Sequence, residues 1–320
     1  MTENPWGRLP AGAHGDLAAL RAEPGSRIDM FWARRPDGNY TFLFALPDCA
    51  GADPDLPSLR GIETFWSAEK GALQLVLCNT GDWEIFATLC RDLIEIAKRS
   101  ASDAEALDAL AVRLARWQRL LMRGGAKLLD DREIRGLFAE LVFLRDELMG
   151  RFGLRGLRFW KGPDGAPQDF TVGRWLFEIK AHLVGSSDKV RISSPEQLWA
   201  EPESPMTLVV TRLAQVQDAS ASLPALIADV RLRLGGDPTL EALLDERLAQ
   251  VNYLPLPEYE DHRYDAVGST HYAVTHGFPL LSRTAIVAGL QDVTYSIALN
   301  ACGTYKTTVN WAAVMEELHG

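Results

Sequence analysis

PQDFTVGRWLFEIKAH, residues Pro167 to His182, reads as two short strands joined through Gly173 and Arg174. With glycine first of the two central residues, a type II′ hairpin turn is expected, and Val172 then pairs with Trp175. That register puts Asp169 directly opposite Glu178. Like charges in a cross-strand pair, about 5 Å apart at Cβ, destabilise a sheet. The two-residue period also puts Glu178, Lys180 and His182 on one face of the second strand, with Trp175, Phe177 and Ile179 on the other. Two acids and a lysine thus converge where a strand pair ought to be apolar.

A divalent cation between the acids would reverse the cost. Two carboxylates and a main-chain carbonyl, here that of Ile179, are hard oxygen ligands suited to Mg²⁺, with Mn²⁺ as a substitute. Lys180, one strand period beyond Glu178, would direct its ammonium into the same volume, where it can orient water or neutralise charge on a phosphate. The pattern equally describes the wet side of an edge hairpin carrying a weak Glu/Lys pair. Taken alone, the residues favour that plainer reading slightly.

The rest of the chain sets the frame. Its 320 residues, 47% hydrophobic and 24% charged, suffice for more than one core. No stretch approaches the roughly 18 apolar residues of a membrane span, and the N-terminus lacks a basic start followed by an apolar run, so a cytoplasmic protein without membrane contact is expected. Cys49, Cys78, Cys90 and Cys302 form no CxxC pair, which argues for buried structural thiols over zinc or disulfides. The net charge is −10, yet Arg113 to Lys161 holds twelve basic residues against six acids, a local +6 that leaves −16 elsewhere. Such a band suits a phosphate backbone or a solvated helix face equally well.

Alternating patterns predict strands over residues 28–35, 39–46, 61–66 and 72–79, with Pro36-Asp37-Gly38 as a turn, and then helices over 83–99 and 104–122, ended by Gly124-Gly125. A helix over 131–149 opens with a capping box from Asp130 and Glu133. Its apolar stripe is Ile134, Leu137, Leu141, Leu144 and Leu148, bordered by Glu140. Then come a strand at 157–161, the hairpin, a strand ending at Ile192, a helix opened by Ser194, Pro195 and Gln197, and a buried strand over 206–213. Helices at 223–234 and 240–251, β patterns at 270–275 and 293–300, and a helix over 310–318 complete the chain. Gln197 is explained by a capping box, and His182 as a polar neighbour.

Asp169, Glu178 and Lys180, preceded by a helix bearing Glu140, resemble the PD-(D/E)XK nuclease superfamily, whose core runs helix, three strands, helix, strand. The ordered set of Gly136 to Leu141, Trp160 with Gly162, Asp169-Phe170, Glu178-Ile179-Lys180 and Ile192 to Leu198 is similar to a family of unknown function placed in that superfamily. Leu89 to Leu93 and Gly277-Phe278-Pro279 extend the similarity over nearly the whole chain. The literal Pro-Asp dipeptide, Pro163-Asp164, is explained as a turn with Gly165, so the metal is assigned to Asp169.

The resemblance implies an α+β protein with an α/β nuclease core, organised as an N-terminal antiparallel-sheet and helical domain (1–125), a restriction-endonuclease-like αβββαβ core (126–215) and a C-terminal α+β extension (216–320). It implies a Mg²⁺-dependent DNA endonuclease of a bacterial restriction-like or anti-phage system. Asp169, Glu178 and the Ile179 carbonyl would hold metal, Lys180 would position water, and Glu140 would assist. DNA, ATPase or helicase-like subunits from a defence gene cluster, and a second copy of the chain are the expected partners. The competing expectation is a non-catalytic binding or scaffold subunit of a DNA-processing complex.

Overall fold

A computed structural model describes residues 4–10, 17–122, 129–216, 221–287 and 289–319. The chain divides into two compact units, Met1–Leu128 and Leu129–Gly320. The boundary expected at Gly124-Gly125 lies outside the described residues.

The first unit is an antiparallel sheet with two helices. Its strands are β1 (Ala18–Arg21), β2 (Asp29–Arg34), β3 (Tyr40–Ala45), β4 (Ile62–Ser67) and β5 (Ala72–Leu77), in the order β1-β2-β3-β5-β4. The β2–β3 turn forms where expected: Gly38 takes φ +88°, and the Asp37 carboxylate accepts the Asn39 N–H at 3.0 Å. β1 carries no apolar alternation, which is why sequence pattern misses it. Helices α1 (Trp83–Arg99) and α2 (Asp103–Met122) follow. They are joined by buried Asp92, whose carboxylate accepts from Arg113 Nε at 2.6 Å, Arg113 Nη2 at 2.7 Å and Trp117 Nε1 at 2.8 Å. Cys49 and Cys90 are buried, but Cys78 is exposed, contrary to the expectation of four buried thiols, because it sits just past the end of β5.

The second unit opens with α3 (Asp131–Phe143), whose capping box is complete: Asp130 accepts the Glu133 N–H at 2.9 Å and Glu133 accepts the Asp130 N–H at 2.8 Å. All five residues of the expected stripe are buried. The helix does not end at Met149; a π-helical turn, Leu144–Leu148, carries it into α4 (Met149–Phe152). The strand expected over 157–161 is instead a 3-10 segment, Gly153–Phe159, followed by a single bridge from Trp160 to Phe170. The cause is local. Gly153 reverses the chain at φ +58°, and Gly156 lies so close to the preceding helix that a Cβ there would sit 2.8 Å from the Met149 nitrogen.

The hairpin of β6 (Phe170–Val172) and β7 (Trp175–Leu183) has the expected register, Val172 opposite Trp175. Gly173 takes φ +58° while Arg174 stays at negative φ, as a type II′ turn requires. β8 (Lys189–Ile192) leaves the main sheet and pairs with β12 (Tyr295–Ala298). The helix expected from Ser194 is only one 3-10 turn, Pro195–Leu198, and Ser194 makes no side-chain cap. Pro202 and Pro205 just beyond disfavour helical backbone in the residues before them. β9 (Met206–Gln215) then returns parallel to β7.

Residues 216–320 belong to the same unit and are not peripheral to its sheet. β11 (Arg263–Ala273) pairs antiparallel with β9, β10 (Ala221–Ser222) and β13 (Lys306–Thr307) pair with β11, and the order is β10-β11-β9-β7-β6. Helices α5 (Leu223–Arg233), α6 (Pro238–Gln250) and α7 (Trp311–His319) complete a mixed α+β fold. α7 returns to the hairpin: Trp311 stacks on Phe177 with ring centroids 5.4 Å apart.

Candidate active site

Asp169 precedes β6 by one residue, and the observed register continued by one pair sets it opposite Glu178. Its side chain supplies the next rung of the ladder, Oδ2 accepting the Ile179 N–H at 2.7 Å. Its carbonyl accepts the N–H groups of Lys161 at 2.7 Å and Gly162 at 2.9 Å. This fixes the residue from both ends. Gly162 packs closely under it: a Cβ there would lie 3.0 Å from Asp169 Oδ1 and push the acid by a few tenths of an ångström.

Glu178 has no solvent exposure, and neither carboxylate oxygen meets a well-aligned donor, although Lys180 and the Asp169 N–H lie close enough to favour its charged form. Lys180 Nζ lies 2.6 Å from its Oε1, a close ion pair without hydrogen-bond alignment. Burial first, and the neighbouring Asp169 charge second, push the Glu178 carboxyl up to about 8, against the pull of Lys180. Burial likewise raises Asp169, opposed by Lys180 and the Ile179 N–H. Lys180 shows the opposite balance. Burial would lower it, but the charges of Glu178 and Asp169 outweigh that and hold it above its ordinary value.

Glu140 reaches the group from α3. Trp160 Nε1 donates to its Oε2 at 2.8 Å. Burial and then the Asp169 charge hold its carboxyl well above the usual range, only partly offset by that hydrogen bond. Trp160 thus connects the helix acid to the bridge that leads into Asp169, a role that its spacing in the sequence does not reveal.

Gln197 is not a helix cap. Its Oε1 accepts the Ser193 N–H at 2.7 Å and Lys180 Nζ at 3.2 Å, so it orients the lysine. The expectation fails because the helix it would cap is one short turn, which frees the side chain to reach β7. His182 Nε2 lies 3.2 Å from the Ser187 carbonyl. Asp164 sits in the expected turn, closed by Gly165 at φ +83°, and its Oδ2 pairs with Arg247 at 3.3 Å. Two residues of the basic band are neutralised within their own unit: Arg113 is buried against Asp92, and Arg145 is bonded to Asp146 and Asp229. Arg155 and Arg158 are exposed on the segment leading to Trp160.

Among the described residues, no group of three or more His, Cys, Asp or Glu side chains is arranged to hold a metal. The hairpin brings two carboxylates, Asp169 and Glu178, opposite each other, with Glu140 bonded to Trp160. A fully buried carboxylate without a well-aligned donor, beside a second acid, fits a hard divalent cation. Among the described residues, no helix is long and apolar enough to cross a membrane. No curated protein and no solved structure matches the chain. A family model described as "Putative PD-(D/E)XK family member, (DUF4420)" matches residues 2–300, and the chain belongs to that family.

Proposed function

We propose that the protein hydrolyses phosphodiester bonds in DNA as a Mg²⁺-dependent endonuclease of a bacterial restriction-like or anti-phage system, working in the cytoplasm with ATPase or helicase-like partners. The observation that carries this reading is Glu178: a carboxylate fully buried without a well-aligned hydrogen-bond donor, opposite Asp169 and 2.6 Å from Lys180. Family membership supports nuclease-like chemistry with a divalent metal at the coarser level.

Asp169, Glu178 and the Ile179 carbonyl would hold the ion, which when bound supplies Lewis acidity to a phosphate oxygen and lowers the pKa of a water. Lys180, kept charged by the two acids and aimed by Gln197 Oε1, orients that water and offsets charge developing on the phosphate. Glu140, anchored through Oε2 to Trp160, keeps a proton to higher pH than an ordinary glutamate and can exchange it at the edge of the site. Asp169 holds its orientation through the Ile179 N–H, so the acid pair is set before substrate arrives.

The test is cleavage of plasmid, phage and single-stranded DNA by the full chain in Mg²⁺, in Mn²⁺ and in EDTA, alongside Lys180→Ala. Metal-dependent cleavage that falls by orders of magnitude in Lys180→Ala supports the reading. Protection from phage that is unchanged in Lys180→Ala removes it and leaves a non-catalytic subunit.

A further inference from the structure

Next to the acids, on the other side of the 3-10 turn Pro195–Leu198, lies a cavity of about 680 Å³ that the proposed chemistry does not use. It exists because the chain after Leu198 stays irregular up to β9, while the residues after β11 and before α7 close around it. The volume falls within the range of sites for small ligands.

The wall it shares with the acid site is well defined. Gln168, the residue before Asp169, is buried, and its Nε2 donates to the carbonyls of Glu196 at 2.8 Å and Trp199 at 2.9 Å. Gln197 in the same turn holds Lys180. The turn Pro195–Leu198 is thus a wall common to the cavity and to the acid site.

The lining narrows the ligand class. Trp199 is 40% exposed, unusual for so large an apolar side chain, and the Arg283 guanidinium lies 4.0 Å from its ring centroid. Glu196 pairs with Arg283 at 3.6 Å, so this cation is already balanced and does not call for a phosphate. Leu198 and Met206 give an apolar floor, and Thr207, Thr275 and Asn310 add hydrogen-bonding groups. An aromatic face, a balanced guanidinium, an apolar floor and several polar groups, Glu201 and His276 among them, suit a flat heterocycle with polar edges. Nucleobases have that character, and proteins hold unstacked bases on aromatic and arginine planes.

We infer that the cavity receives an unstacked nucleobase of the strand held at Asp169 and Glu178, so that the substrate is single-stranded or locally opened DNA. The inference rests on the phosphodiesterase reading above. In Mg²⁺, the full chain should bind a short single-stranded oligonucleotide more tightly than the matching duplex, measured by fluorescence anisotropy. Trp199→Ala should lose about tenfold or more of the single-strand affinity, and Trp199→Phe should keep most of it. The wild type should lose affinity similarly for an oligonucleotide with abasic positions, which needs no mutation and covers a poorly folded variant. The Mg²⁺-induced rise in Tm should be the same in wild type and both variants.

Equal binding of normal and abasic strands by the wild type would overturn the inference. If metal stabilisation and Lys180-dependent cleavage were nevertheless present, the base pocket alone would be wrong. No metal stabilisation and no cleavage would remove the parent reading and the pocket with it.

Discussion

Glu178 faces a carboxylate and a lysine with no solvent exposure, and the folded chain carries the cost of that burial. Its folded pKa of about 8 stands above the ordinary 4.5, so between those values the native state binds the proton more tightly than the unfolded chain. The contribution is fully present below about pH 4.5 and is lost as pH rises through about 8. In EDTA, Tm should therefore fall as pH is raised from 5 to 8.5, and Glu178→Gln should flatten part of that slope. The raised carboxyls of Asp169 and Glu140 act in the same direction, so an undiminished slope in the variant would show that Glu178 is not the group responsible.

Asp169 makes a second contrast. Replacing it with alanine removes repulsion but leaves the Ile179 N–H without its 2.7 Å partner, whereas asparagine removes the charge and can keep an acceptor there. Metal-free Asp169→Ala should be less stable than metal-free Asp169→Asn by about 1–3 kcal/mol, measured by urea unfolding. Equal stability would mean that the hydrogen bond contributes nothing. At this scale the sequence is legible where chemistry is local: the turn sets the Asp169 and Glu178 register through neighbouring residues alone. Gln197 and Trp160 are not legible, because their partners, Lys180 and Glu140, lie seventeen and twenty residues away.

At the scale of elements, strands and helices with a clear apolar period were readable almost to their ends, as in α1, over Trp83–Arg99. The 3-10 segments were not. Gly153–Phe159 follows from Gly156 packed against the end of the preceding helix, a close approach that no periodicity encodes. The same holds for Gly162 beneath Asp169. Gly162→Ala places a methyl group 3.0 Å from Asp169 Oδ1, so the variant should stay folded, with Tm within a few degrees of wild type, yet bind Mg²⁺ at least several-fold more weakly in a thermal titration. Unchanged metal affinity would show that the acid tolerates displacement.

The C-terminal helix bears on the hairpin as well. Glu317 accepts the Arg174 N–H at 3.2 Å, Arg174 Nε at 2.9 Å and Trp175 Nε1 at 3.2 Å. The Arg174 amide should exchange several-fold faster with solvent deuterium in Glu317→Ala, while amides in the centre of β9 keep their protection. Equal exchange at Arg174 would mean that the turn holds itself.

At the scale of the whole molecule, the two-unit division leaves every residue of the candidate site in the second unit. Its sheet could not be assembled from sequence, because β9 gains its second neighbour from β11, whose pairing spans residues 207 to 273 and includes an irregularity between Ala266 and Gly268. Non-local pairing of this kind leaves no short-range signal. Nor does the departure of β8 to pair with β12.

The central claim is that Asp169 and Glu178 share a divalent cation, and Tm of the full chain in EDTA and in rising Mg²⁺ tests it most directly. A ligand that binds only the native state at 100 times its Kd stabilises by about 2.7 kcal/mol. For a unit of this size that is a rise of about 5 to 10 °C. Wild type should show such a rise, growing with the logarithm of Mg²⁺ concentration, and Asp169→Asn and Glu178→Gln should lose most of it while remaining folded. No rise in wild type, or the same rise in both variants, would contradict a metal at this pair.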